Sequence, residues 1–187
     1  AYLLEYWTSD GVNEVQELSL FSPGGPAAGT FTLSYDGERT DSLSIDIAAS
    51  DLQLALENMR SIRSVRVERT GGSQDFLWRV TFLTEFPSVA GQILTVESDT
   101  ELTDPLSGTP LIQVTVSTPG SMPSNYHRVE IDVSTRSNHT SFSHKLTNLT
   151  TGEPYKARVS SFNALGYSIP RASVPSQMAP PKQKPSQ

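Results

Sequence analysis

The chain is expected to be mainly β, a sandwich interrupted by a small inserted α+β unit with one helix. Three observations predict this. Apolar and polar residues alternate in most segments between Tyr2 and Val159, the period of a half-buried strand. A single segment, near Ser50 to Met59, has helical spacing instead. The run Ser117 to Asn125 (STPGSMPSN) has the composition of a connector, and the pattern beyond it again contains strands without a helix.

Tyr2-Leu3-Leu4-Glu5-Tyr6-Trp7 reads as a strand with aromatic anchors, broken at Ser9-Asp10-Gly11. Val15, Leu18 and Leu20 lie in a β-prone segment that Ser22-Pro23-Gly24-Gly25-Pro26 ends, since neither helix nor central strand tolerates that cluster. Phe31, Leu33 and Tyr35 alternate, Asp36-Gly37 is a hairpin signal, and Leu43, Ile45 and Ile47 share one face of a returning strand. Ser50 is expected to cap a helix with Gln53 completing a capping box, and Leu52, Ala55, Leu56 and Met59 form a stripe that must pack on a sheet. Val65 and Val67 start the next strand, Gly71-Gly72 turn it, and Leu77, Val80 and Phe82 continue it. Ile93, Leu94 and Val96 offer another strand, as do Ile112, Val114 and Val116 after a turn region from Pro105 to Pro110. Beyond the connector, Val129, Ile131 and Val133 alternate, then Phe142, His144 and Leu146, then Tyr155, Ala157 and Val159. From Pro170 the chain reads as a polyproline-like linker.

Composition narrows the function. A net charge of -6 and a pI near 5.0, with no basic run, argue against a surface for nucleic acid or anionic lipid. No apolar stretch approaches the ~20 residues of a membrane span. The absence of cysteine removes disulfides, thiolate zinc sites and thiol nucleophiles. Two sequons, Asn138-His139-Thr140 and Asn148-Leu149-Thr150, are acceptors for N-linked sugar and point to a secreted chain.

Leu149, Gly152 and Tyr155, with Ala157 and Val159 behind them, fit a tyrosine corner, in which a strand-start tyrosine bonds back to upstream backbone. With Arg158, Asn163, Gly166, Ser168 and Pro170 the segment resembles the last strands of a fibronectin type III domain, over roughly Ser141 to Pro170. Tyr2 to Trp7, with the Tyr6 and Trp7 aromatics, looks like the C strand of the same fold. The resemblance implies a split domain: residues 1–12 hold the C strand, 13–123 an inserted α+β module, 124–170 the remainder, and 171–187 a linker to a following module. It also implies strands A and B ahead of the C strand, and the sequence has neither before Tyr2, so a tandem neighbour or another chain is expected to cover the open sandwich. The insert is similar to a repeat of very large secreted proteins of algae and other protists, including flagellar-hair (mastigoneme-like) proteins. That likeness rests on Gly29 to Tyr35, Arg39-Thr40, Ala49 to Glu57, Val65, Val67 and Trp78 to Phe82.

Residues suited to catalysis are sparse. His127 and His144 fall in expected strands and His139 in a sequon, so a shared metal site would need three separate segments to converge. The chain has no G-x-S-x-G elbow, and neither glycine pair opens a phosphate-binding helix. Asp99, Glu101 and Asp104 have the chemistry of calcium ligands but also of an ordinary solvated turn. No catalytic, cofactor or metal residue is therefore assigned, and no enzyme activity is expected. The expected role is a structural module of a long extracellular or cell-surface protein, with other copies or neighbouring modules as partners and glycans at Asn138 and Asn148. The alternative is a recognition ectodomain that binds glycans or a receptor.

Overall fold

The elements in chain order are β1 (Tyr2–Trp7), β2 (Val15–Phe21), β3 (Thr30–Tyr35), β4 (Glu38–Arg39), β5 (Leu43–Ser44), α1 (Ala49–Glu57), β6 (Val65–Gly72) and β7 (Asp75–Phe82). They continue with β8 (Thr95–Ser98), β9 (Leu111–Thr118), β10 (His127–Ile131), β11 (Lys156–Asn163), β12 (Gly166–Tyr167) and β13 (Arg171–Ala172). This computed structural model describes residues 1–72, 74–84, 93–98, 102–103, 110–133, 141–164 and 166–182. Among them the protein is mainly β, with antiparallel sheets and one helix. The chain divides into two compact units, Ala1–Gly11 with Met122–Gln187, and Val12–Ser121.

In Val12–Ser121 one sheet runs β6-β7-β2-β9, and a second centres on β3, flanked by β4 and β5 on one side and β8 on the other. Alternation decides what goes inside: Leu18 and Leu20, Phe31 and Leu33, Val65 and Val67, and Trp78, Val80 and Phe82 join one buried cluster with Leu52 and Leu56 of α1. Trp78 is fully buried, and its indole N–H donates to the Ile47 carbonyl at 3.0 Å, so the ring costs no unsatisfied donor. Asp36 (φ 50°) and Gly37 (φ 78°) form the two-residue turn between β3 and β4, in the left-handed conformation that such a hairpin requires.

The helix starts differently from expectation. Its N-cap is Ala48, with no side-chain cap, so the Ser50–Gln53 capping box does not form. Ser50 already lies in the first turn and donates to Asp51 at 3.3 Å. Gln53 and Glu57 look outward to the sheet: Val67 N–H donates to Gln53 Oε1 at 3.4 Å and Val65 N–H to Glu57 Oε1 at 3.0 Å. The helix thus satisfies the free edge of β6 as well as packing on it. The returning strand is also shorter than the Leu43 to Ile47 alternation suggests. Only Leu43 and Ser44 pair with β3, because the chain turns at Ile47, whose N–H donates to Ser44, to enter α1.

In the other unit β1 is central, pairing with β10 on one side and β11 on the other; β12 and β13 both pair with β11. Phe142, His144 and Leu146 do not form a strand. Alternation supplies them with an apolar side, but their side chains lie over the face of the β1 sheet, and no described strand shares their layer to complete a ladder. Residues from 171 on, expected as a linker, stay tied to β11 and the turn before it as far as Pro180. Arg171–Ala172 pair with Val159 and Arg158, Tyr155 and Met178 exchange two backbone hydrogen bonds, and Gly152 N–H donates to Pro180. Prolines are tolerated there because this is an outer edge, where a missing N–H breaks no ladder.

Candidate functional site

The β1 sheet has two unlike faces. Register brings Ile131 beside Tyr2, Val129 and Val159 to either side of Leu4, and His127 and Ala157 to either side of Tyr6. The opposite face carries Glu5 between Arg128 and Arg158. One face is therefore an apolar row and the other a charged one.

The apolar row is covered at its Tyr6 end. Tyr6, Leu4 and Tyr155 are buried together, with Leu146, Leu149 and Ala157 packed against them. Tyr155 stands just before β11 with its ring 6.3 Å from Tyr6, and the Thr150 N–H donates to its hydroxyl at 3.1 Å, closing the turn over itself. Gly152, at φ 78°, makes that turn, and an added Cβ would also meet the Lys182 side chain at 2.8 Å. His127 stacks on Tyr6 at 4.9 Å.

At the Tyr2 end the row opens into a groove of about 520 Å³, lined by Tyr2, Leu4, Ile131, Val159, Phe142 and His144 among others. Val159 of β11 is 39% exposed, and Phe142, which lies over the sheet, is 37% exposed, so the apolar groups here are only partly covered. The segment forming the groove wall is in no described helix or strand, and Ser143 to Thr147 exchange no hydrogen bond among the described residues. A groove of apolar side chains and a run of unladdered backbone therefore lie together, the two things an added strand needs.

The charged face contains what sequence reasoning passed over. Arg158 grips Glu5 with two hydrogen bonds, Nε to Oε2 at 2.8 Å and Nη2 to Oε1 at 2.9 Å, and both side chains are buried. The Tyr126 hydroxyl donates to Glu5, and the guanidinium stands 5.4 Å from the Trp7 ring. The sequence signal was a lone carboxylate inside YLLEYW facing an arginine inside YKARV, since an apolar strand buries a charge only with a partner. Beside it, Arg128 donates to Glu130 at 3.0 Å and to the Tyr167 hydroxyl at 3.2 Å.

The residues singled out in the sequence fall in four places. Tyr6, Leu149 and Tyr155 share the covered end of the apolar row. Trp7 lies on the charged face, where its indole N–H donates to Asp10 at 2.8 Å. Asn163 and Gly166 (φ 116°) pair at the tight β11–β12 turn, away from the other positions. Asn148 is exposed at φ 60°, while Asn138 and His139 lie outside the described residues, as do Asp99, Glu101 and Asp104. Among the described residues no three metal-binding side chains gather, and no helix is long and apolar enough to cross a membrane. Compared with protein-family models, with curated proteins and with solved structures, the chain matches none.

Proposed function

We propose that this chain is an assembly module of a large extracellular or cell-surface filamentous protein, working by strand pairing and chain-to-chain packing. In this reading it is a fibronectin type III-like sandwich whose apolar face receives strands from a neighbouring module or another copy. The carrying observation is the groove at the Tyr2 end together with the unladdered Ser143 to Thr147 backbone beside it. The order β10-β1-β11-β13 supports it, because a β sandwich of this kind places its C, F and G strands side by side in one sheet. So does the Thr150–Tyr155 bond, which has the form of a tyrosine corner. Sugar on the exposed Asn148 would suit a secreted module.

The absence of cysteine makes a direct test possible, since an introduced thiol is unique. Val159→Cys places that thiol in the groove, and Thr151→Cys places one on exposed surface. Maleimide should label both readily in the chain alone. In assembled cell-surface material, labelling at position 159 should fall at least tenfold while position 151 keeps its rate. Equal rates at position 159 in the two states would refute the reading.

A further inference from the structure

Four described edge strands are longer than two residues, and three of them are defended. β6 carries Arg66, Glu68 and Arg69, and α1 side chains accept its Val65 and Val67 N–H groups. β8 carries Glu97, ion-paired with Arg39, and β10 carries Arg128 and Glu130. Charges and covered N–H groups are how sheets keep foreign strands away.

β9 has none of these devices. Its sequence, Leu111-Ile112-Gln113-Val114-Thr115-Val116-Ser117-Thr118, contains no charge, proline or glycine, and it is the outermost strand of the β6-β7-β2-β9 sheet. Among the described residues its backbone bonds only to β2; β8 approaches it without sharing a ladder. In an antiparallel sheet every other residue of an edge strand turns its N–H and C=O outward, so β9 presents a row of unused pairing groups. At its start, Leu111 and its neighbour Phe21 on β2 are 57% and 58% exposed.

From this contrast we infer that β9 pairs antiparallel with β9 of a second copy of the chain, about a two-fold axis at Val114. An uncharged strand meets itself in any register without like charges opposed. Centring on Val114 sets Ile112 opposite Val116 of the copy and Gln113 opposite Thr115. The inward row Ile112, Val114 and Val116 then runs on across the junction, and the outward Gln113 and Thr115 face each other across it. Each four-stranded sheet becomes half of an eight-stranded one. The contact lies in Val12–Ser121, so it stands whether or not the groove of the other unit receives a strand.

The test is sedimentation equilibrium on the whole chain over a concentration series. A reversible dimer is expected. Gln113→Lys with Thr115→Lys opposes lysines across the axis at two symmetric places and should weaken dimerisation about tenfold. Gln113→Lys with Thr115→Glu opposes each lysine to a glutamate and should restore it. Both positions are exposed, and unchanged Trp78 fluorescence would show that the fold persists. A chain that stays monomeric throughout, a dimer indifferent to the lysine pair, or a lysine–glutamate pair that fails to restore association would each overturn the inference.

Discussion

In Val12–Ser121, Phe31, Leu33, Leu52, Leu56, Trp78 and Val80 are all fully buried, whereas in the other unit the apolar row of the β1 sheet ends at Val159, 39% exposed. The first unit has two sheets and a helix to enclose its apolar side chains. The second has one sheet, with part of its face covered by a tyrosine-anchored turn and an unladdered segment. Its best-satisfied contacts lie on the charged face instead, where a buried ion pair and its neighbours fix how β1 and β11 meet. One unit is therefore held chiefly by apolar burial, and the other leans on polar geometry. The second kind of structure is the more sensitive to losing one partner.

The protein carries its own reporters of this difference. Trp7 and Trp78 are its two tryptophans, one in each unit, so Trp78→Phe leaves a probe of one unit and Trp7→Phe a probe of the other. The largest effect should come from Arg158→Ala, which leaves the buried Glu5 carboxylate without its guanidinium and costs about 3–5 kcal/mol. In urea the Trp7 transition should move to much lower denaturant while the Trp78 transition holds its midpoint. Replacing both partners by apolar residues, Glu5→Leu with Arg158→Met, should recover most of the loss, because no buried charge then remains. Equal shifts in both transitions would show that the units unfold as one, and the comparison would fail.

A smaller effect should follow from Tyr155→Phe. The ring and its packing on Tyr6 survive, but the Thr150 N–H loses its acceptor, a change of about 0.5–1.5 kcal/mol. Thr150 is exposed, so water can replace part of that bond and the lower figure is expected. The shift should again appear through Trp7 and not Trp78. A loss comparable to that of Arg158→Ala would mean that the turn, rather than the ion pair, organises this unit.

Much of this architecture was legible in the sequence because it rests on local rules. Alternation located β3, β9, β10 and β11, the aromatic-anchored run Tyr2 to Trp7 located β1, the Gly71-Gly72 turn separated β6 from β7, Asp36-Gly37 located a hairpin, and 3.6-residue spacing located α1. What escaped depended on partners distant in sequence. Ser50 and Gln53 read as a capping box, but the register of α1 against β6 turned Gln53 to a strand N–H 14 residues away. Phe142 to Leu146 has strand alternation, yet alternation cannot provide a ladder neighbour. The groove was hidden for the same reason: it arises from residues of β1, β10, β11 and the Phe142 segment meeting in space. Glu5 and Arg158 stand 153 positions apart, and only the β1–β11 register makes them a pair.

The smallest expected effect concerns acid, and it separates the units by their carboxylates. Asp10 is held below its ordinary 3.8 by the hydrogen bond from Lys156, then by the one from the Trp7 indole, with burial opposing both. In the other unit Asp46 is lowered chiefly by the Ser44 hydroxyl. A carboxylate with a depressed folded-state pKa contributes stability that is fully present above the unfolded value. That contribution is lost as pH falls through the lower, folded one. Asp10→Asn should therefore lower the Trp7 urea midpoint slightly at pH 7, by an amount that shrinks as pH falls below 3.8 toward the lowered folded-state value, and Asp46→Asn should do the same to the Trp78 midpoint. Because the indole N–H bonds directly to Asp10, Trp7 emission should also change as that carboxyl protonates, below pH 3.8, while Trp78, bonded to the neutral Ile47 carbonyl, stays constant. A Trp7 signal flat through that range would mean that the Trp7–Asp10 bond does not form in solution, and the polar account of this unit would lose one of its supports.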